Sequence, residues 1–516
     1  MSVVQNLPTI VLDATLEDLY RRASPKNAHK RIAQVMYPVN SAIQLTPNIP
    51  RNVKYLYQDS AFNESRREDG AFELSEQARR ELAISYVALA PQRDAFLSGG
   101  GTVIMFDLGA NSVQQSHNKS EATKTMSVLP DRQRPRLIFC PGPSDIPVRE
   151  QDIDLMCYKL APDGLENYDL LIPLETIWYI NAKGSLAKSG LPVPRCDIIE
   201  IEGSSCHIRL CCDVCRGRSD SLIIPTACTG QRGEWVSDQS FKIYQEVLMR
   251  QLPFVFKNQQ AYGGAGTYLI HNETDREKLL CDLRSGLLRR MLSYVTESNK
   301  HLQPAAIVLS DLIENPTATW GLSFFVTEDD EPIFLAVTEL MLLEGRFYIG
   351  SMIQYDRQDE LKRKFATLVK DMSIWLHKYD YIGPVGADAL ETVDSAECSQ
   401  MHNSSINESD KYSNFHVLDI NARTSGQLCL PLLRTHFTSR GLQCAATFFM
   451  RILKRREEFI RVFEDQFKAG RICILSWYDD IESDVSFGNV VIGAEDVNKL
   501  RDDMKQVRDM SQELTF

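Results

Sequence analysis

The sequence predicts a mixed α/β protein of about three domains, and three observations predict it. Short apolar runs that stop at turn residues recur along the chain, as strands do. They alternate with stretches whose large apolar residues fall near a 3.6-residue period, as helices do. A length of 516 residues exceeds what one core ordinarily serves, at roughly 100–200 residues per domain.

Composition narrows the function classes. The chain is 43% hydrophobic and 24% charged, as soluble globular proteins are. Its net charge is −12, from 57 basic and 69 acidic residues, with no basic block. Nucleic-acid binding needs a concentrated positive footprint, so no nucleic-acid partner is expected. No apolar run approaches the ~20 residues that cross a bilayer, so no membrane partner is expected. The start, MSVVQNLPTIVLDATLEDLY, lacks the basic-then-apolar layout of a signal peptide. Thirteen scattered cysteines, an odd number, read as reduced thiols, and the expected location is cytoplasmic.

Residues 1 to about 100 mix helical and strand-like patterns without a motif. TVIMFDL, PRLIFCPGP and DLLIPL then read as buried parallel strands, with a loop over roughly 110–135. SLAKSGLPVP closes this lobe with a short helix and an extended exit. Next come Cys206, His207, Cys211, Cys212 and Cys215. Cys212 and Cys215 form a C-x-x-C pair of the kind zinc uses. No second such pair or paired histidine follows at finger-like spacing, so a strand-and-turn insertion that happens to hold thiols is preferred. A helix is expected over Asp238–Arg250, then the strand PFVFK and a glycine loop. Leucines 279, 280, 283, 287, 288 and 292 predict a helix from Asp275 to about Thr296. Strands AAIVLSDLI, GLSFFVTE and EPIFLAVTEL follow, then a helix from Gln358 to Tyr379, and strands GPVGADAL and FHVLDINAR. Between those two strands, a Ser-, Asn- and acid-rich stretch at 391–414 reads as a disordered insert. A long helix over Gln443–Phe467, strands ICILSW and NVVIG and a charged helix complete the chain.

Two segments carry candidate chemistry. In PFVFKNQQAYGGAGTYLI, Lys257 ends an apolar strand, and Gly263, Gly264, Gly266 and Thr267 occupy the following turn. Glycines let backbone N–H groups approach a ligand, and a lysine one strand away supplies charge for the same phosphates. The segment is neither a Walker loop nor a dinucleotide fingerprint. The alternative is a glycine-rich hairpin with a solvated lysine. In FHVLDINARTSG, strand alternation puts Asp419, Asn421 and Arg423 on one face. An acid and an amide two residues apart are hard oxygen donors suited to Mg2+, and an arginine beside them suits a carboxylate or phosphate. Asp388 adds an oxygen if its strand is a neighbour. The alternative is an edge strand with a solvated polar face.

Taken together, these segments resemble the ATP-grasp superfamily over about residues 180 to 440. GLPVP looks like the end of its first domain, the lysine strand and glycine loop like its phosphate cover, IVLSDLIENP like its hinge, and VLDINARTSG like its metal strand. NAKGSLAKSGLPVPR and NVVIGAEDVNKLRDDMKQV are similar to segments of natural-product peptide ligases with an atypical first domain.

The resemblance implies an α/β (α+β) fold in which two antiparallel-sheet lobes clasp ATP behind an α/β N-terminal domain. The expected units are 1–194, a small lobe at 195–315 with the cysteine-rich insertion, a large lobe at 316–442, and a C-terminal helical and strand extension at 443–516. The cofactors it implies are ATP and Mg2+, with Mn2+ able to substitute. The resemblance places Lys183, Lys257, Gly263, Gly264, Gly266 and Thr267 on phosphates. Backbone groups of Ser310, Asp311, Leu312 and Ile313 would hold adenine, and Glu314 ribose. It gives Asp388, Asp419, Asn421 and Glu339 to metal, and Arg423, Ser425, Gly426 and Arg346 to substrate, with Arg423 and Lys257 catalytic. The implied activity is ligation of a small-molecule carboxylate to an amine through an acyl phosphate, and a homodimer is among the assemblies it allows. Asp419 stands where the family usually has glutamate, the hinge begins Ser310-Asp311, and Leu340 replaces a common lysine. The altered hinge and the missing lysine motivate one alternative, a nucleotide-binding regulatory or scaffold protein without the chemistry, and a phosphotransferase or carboxylating enzyme on the same fold is a further one.

Overall fold

The apolar runs assemble into three sheets. The computed structural model describes residues 7–64, 74–109, 111–218, 220–329, 331–393 and 414–510. The first sheet comprises β1 (Ile32–Val35), β2 (Thr102–Phe106), β3 (Arg136–Cys140) and β4 (Leu155–Tyr158), in the order β3-β2-β1-β4 and all parallel. Both faces of β2 are covered: Ile104 and Phe106 join one buried cluster, Val103 and Met105 another. That is why the strand reads as an unbroken apolar run.

The second sheet comprises β5 (Cys196–Ile199), β6 (Phe254–Asn258), β7 (Thr267–Ile270) and β8 (Ile307–Asp311), antiparallel in the order β5-β8-β6-β7. Helix Gln231–Met249 leads into it. The leucine-rich stretch forms two helices, Glu273–Asp282 and Leu288–Ser293, joined by a wider turn in which Gly286 takes φ 114°. All six predicted leucines are buried, so the helical face is as expected although the backbone is interrupted.

The third sheet has eight antiparallel strands. They are β9 (Ala318–Val326), β10 (Ile333–Leu343), β11 (Phe347–Gln354), β12 (Gly383–Glu391), β13 (Phe415–Asn421), β14 (Cys444–Ile452), β15 (Ile472–Asp479) and β16 (Ser486–Ala494). Their order is β13-β12-β9-β10-β11-β14-β16-β15. Helix Gln358–His377 packs on one face through Phe365, whose ring lies 5.9 Å from that of Trp320. The C-terminal strands thus continue the sheet begun at residue 318.

Several expectations are corrected. The segment from Gln443 begins as strand β14, not as a long helix. Cys444, Ala446, Phe448, Met450 and Ile452 fill one buried cluster while Ala445 fills another, and a run buried on both faces hides its period of two. The expected loop at 110–135 holds the helix Ser112–Met126, capped by the Asn111 side chain. Its buried residues include Asn118, Glu121 and Thr125, so it carries no apolar stripe to read. DLLIPL contributes one bridge, Leu170 to Met156, and the chain then enters helix Leu174–Asn181. The expected disordered insert lies almost entirely outside the described residues.

Candidate active site

The lysine strand and the metal strand meet. Lys257, near the end of β6, donates from Nζ to the carbonyl of Leu418 on β13 at 3.2 Å. Lys183, at the start of the short helix Lys183–Ala187, pairs with Asp419 Oδ1 at 2.5 Å. Its backbone N–H is fixed by the Gln259 carbonyl, and Gln259 Oε1 accepts from Gly184, so the residues just after Lys257 hold this second lysine in place.

Strand register decides which acids share one face of the sheet. Asp388 on β12 stands opposite Asp419 on β13, and Gly386 opposite Asn421. Directly opposed residues point to the same face of an antiparallel sheet, so Asp388, Asp419 and Asn421 share one face. Continuing along that row, Asp388 opposes Gly321 and Gly321 opposes Thr338. Glu339 therefore projects from the opposite face, alongside Trp320, where Gln354 Nε2 donates to it at 3.1 Å. The one-residue offset removes Glu339 from the metal candidates.

Two carboxylates set against each other interact strongly. Desolvation, with the Asp419 charge next, pushes Asp388 up to about 7, against the opposing pull of Lys183, Arg423 and Lys257. Burial, then the Lys183 charge, brings Lys257 down to about 8, with Asp419, Cys196 and Asp388 acting the other way. A divalent cation relieves this kind of crowding, and two carboxylates with an amide on one face are hard oxygen donors. The donor set fits Mg2+.

The glycine loop is strapped in place rather than free. Tyr262 N–H donates to Gln58 O at 2.7 Å, Gln58 N–H donates to Gln260 O, and Asn63 Nδ2 donates to Ala265 O. Gly263 and Gly264 have φ of 63° and 85°, and a Cβ on Gly264 would come within 2.3 Å of the Arg346 carbonyl. The tip of the β10–β11 hairpin thus rests on the loop. Arg346 Nη1 donates to Thr267 O at 2.9 Å, with its guanidinium over the Phe347 ring, so this side chain braces the loop. On β8, Ser310 faces the same side as Lys257, with its buried Oγ unpartnered among the described residues. Asp311 faces away and pairs with Arg250, while Leu312 and Ile313 are half-buried and Glu314 is exposed.

Arg423 lies two residues beyond the end of β13, so strand alternation does not orient it. Asn181, at the end of helix Leu174–Asn181, accepts from Ala422 N–H at 2.9 Å and from Arg423 Nη1 at 3.3 Å. Ser425 packs over Gly386, where an added Cβ would come within 2.8 Å of the Ser425 Cβ. A Cβ at Gly426 would meet the Tyr348 hydroxyl at 2.9 Å.

Nothing in the linear pattern marks a second charged group beside Arg423. Asp94 is fully buried, and Lys159 Nζ sits 2.5 Å from its Oδ2. Arg93 and Thr424 also donate to Asp94. Lys159, Arg423, Thr424, Tyr158 and Tyr381 line one small cavity. Single polar residues within SYVALAPQRDAF and LMCYKLAP carry no pattern, and only the tertiary fold pairs them. Burial brings Lys159 down to about 7, with Asp94 opposing and Arg93 and Arg423 assisting. An unfolded lysine titrates near ~10.4, so between about 7 and ~10.4 the unfolded chain holds more protons. This group's contribution to stability therefore rises with pH across that window and is lost as pH falls to about 7. In urea titrations the stability of wild type relative to Lys159→Met should increase from pH 7 to pH 9. Parallel pH dependences would contradict the assignment.

Neither a protein-family model nor a curated protein matches the chain. Solved structures to which it is similar include an N5-carboxyaminoimidazole ribonucleotide synthetase in complex with ADP, at 10% identity and TM-score 0.46, covering 93% of this chain and 96% of that one. The N5-carboxyaminoimidazole ribonucleotide synthetase of Thermus thermophilus is 11% identical with TM-score 0.45, covering 83% and 97%. A biotin carboxylase from Campylobacter jejuni, in complex with a β-γ-ATP compound, is 12% identical with TM-score 0.43, covering 80% and 86%. At these values the functional reading rests on the side chains of this chain.

Proposed function

We propose that the chain is an ATP-dependent ligase of the ATP-grasp type, which activates a small-molecule carboxylate as an acyl phosphate and transfers the acyl group to an amine. The observation that carries this reading is the junction of Lys257 with Leu418, flanked by Lys183 on Asp419. A phosphate-type lysine and a strand bearing hard oxygen donors meet here, although more than 150 residues separate them in the sequence.

In this reading Lys257, Lys183 and the loop Gly263–Thr267 bind the nucleotide phosphates, and the β8 edge from Ser310 to Ile313 receives the base. Asp388, Asp419 and Asn421 would hold Mg2+, which when bound neutralises phosphate charge. A carboxylate oxygen of the substrate attacks the γ-phosphorus. The bond to the β–γ bridging oxygen breaks, and ADP leaves with the electron pair. The amine nitrogen then attacks the acyl carbon, the C–O bond to phosphate breaks, and the nitrogen loses a proton. Arg423, anchored by Asn181, faces the reacting carboxylate and the acyl phosphate, where a planar guanidinium suits both. Positioning and charge stabilisation supply the rate, and no side-chain nucleophile is required.

The test is ADP release with ATP, Mg2+ and paired carboxylate and amine panels, with products read by mass spectrometry. The proposal expects ADP and a condensation product that require both substrates. ADP with a phosphorylated product and no amide would favour a phosphotransferase. Nucleotide binding with no turnover across the panels would favour a scaffold.

A further inference from the structure

The cysteine-rich insertion brings Cys228 onto three thiols, Cys211, Cys212 and Cys215, that lie close together in the sequence. Cys211, Cys212, Cys215 and Cys228 each place Sγ so that all four sulfurs lie within 4.8 Å of one another. From Cys228 the distances are 3.5 Å to Cys211, 3.6 Å to Cys212 and 3.3 Å to Cys215. All four are free thiols, and these separations are well beyond the ~2.05 Å of a disulfide. A tetrahedral zinc ion with Zn–S bonds of ~2.3 Å requires sulfur–sulfur edges of about 3.8 Å. The cluster needs only small adjustment to meet that geometry. Among the described residues it is also the one group of three or more Cys, His, Asp or Glu side chains whose ligand atoms come this close.

The backbone is shaped for the cluster. Cys212 starts the one-turn helix Asp213–Arg216, and Cys215 N–H donates to Cys212 O at 3.1 Å, so the C-x-x-C pair forms a knuckle. Cys228 lies just before Gly230, the N-cap of helix Gln231–Met249, whose positive end favours thiolates. A Cβ at Gly230 would come within 3.0 Å of Cys211 Sγ, and one at Gly233 within 2.0 Å of Cys228 O. Arg232, in the first turn of that helix, is buried, with Nε and Nη1 unpartnered among the described residues. Its backbone N–H bonds to Cys211, while its Nη2 donates to the carbonyls of Ser221 and Leu222 and ties the insertion to the helix start. His207 is exposed and Cys206 stands outside the four, so neither completes the set.

We propose that Cys211, Cys212, Cys215 and Cys228 bind a structural zinc ion. Four protein ligands leave no open position for chemistry. The ion would fasten the insertion between two other parts of the chain. Arg51 of the N-terminal region pairs with Asp220 at 2.6 Å, and Ile224 N–H donates to Ser293 Oγ at 3.0 Å. The sequence reading weighs only Cys206 to Cys215, and Cys228, thirteen positions beyond Cys215, belongs to no second C-x-x-C or histidine pair that would have drawn it in.

The test uses the full chain, reconstituted with zinc under reducing conditions. We expect one zinc per chain by mass spectrometry of the metal. We also expect slow alkylation of the four cysteines relative to exposed Cys281, and tetrahedral thiolate charge-transfer bands on cobalt replacement. Cys228→Ser and Cys215→Ser should lower zinc content at least tenfold, while Cys281→Ser retains it. If the serine variants fail to fold, the wild-type cobalt spectrum and alkylation map still decide. A wild-type chain that takes up no zinc and alkylates all four thiols as fast as Cys281 would overturn the proposal, as would recovery of iron in place of zinc.

Discussion

Replacing Asp419 with alanine is expected to lower substrate-dependent ADP release by on the order of 10²–10³-fold or more while leaving the chain folded. Asp419 touches three parts of the proposed machinery. It opposes Asp388 across the strand pair, accepts from Lys183, and adjoins the Leu418 carbonyl that Lys257 engages. Its side chain is 24% exposed, so its removal opens no deep cavity, and folding should survive. Lys257→Met should cause a loss of similar size by a different route, because it removes phosphate charge and leaves the oxygen donors intact. Glu339→Gln is the internal control. Its side chain lies on the other face of the sheet with Gln354, and turnover within a few-fold of wild type is expected. A Glu339→Gln variant as inactive as Asp419→Ala would contradict that placement. ADP release and circular dichroism on the same preparations make the comparison.

Asp94→Ala should produce the largest loss of stability of any single substitution near the cleft, about 3–5 kcal/mol. Asp94 is wholly buried and compensates Lys159 and Arg93, while Thr424 donates to its Oδ2. Taking it away strands buried positive charge in a low dielectric beside Arg423. Breaking a buried pair in this way costs far more than an exposed pair contributes, which is ~0–1 kcal/mol. Replacing both Asp94 and Lys159 with apolar residues of similar size should recover part of the loss, because the unpaired buried amine is then gone. Urea denaturation of the two single variants and the double variant tests this. A double variant no better than Asp94→Ala would show that the pair does not act through mutual compensation.

How far the sequence discloses this arrangement depends on the kind of pattern involved. Apolar runs such as FVF before Lys257 and the alternation in VLDIN are visible locally, and both fall on strands. The pairing of Asp388 with Asp419 is only conditional in the sequence, because neighbouring strands are a property of the sheet. Glu339 shows the limit: without the register, a one-residue offset cannot be seen, yet it moves the side chain to the far face. Strand β14 is hidden because both of its faces are buried, and helix Ser112–Met126 because its buried face is polar. Asp94, Lys159 and Asn181 are ordinary polar residues until the fold brings them to Arg423. Cys228 escapes notice for a related reason, since it reaches the C-x-x-C pair through a turn rather than a repeat.

Calorimetric titration of MgADP measures most directly whether the second and third sheets share one nucleotide. Wild type should bind a single equivalent. Lys257→Met and Asn421→Ala, on different sheets, should each weaken that binding at least tenfold, and the Asn421→Ala loss should disappear when magnesium is withheld. Unchanged affinity in both variants, or a magnesium dependence that Asn421→Ala leaves intact, would contradict it.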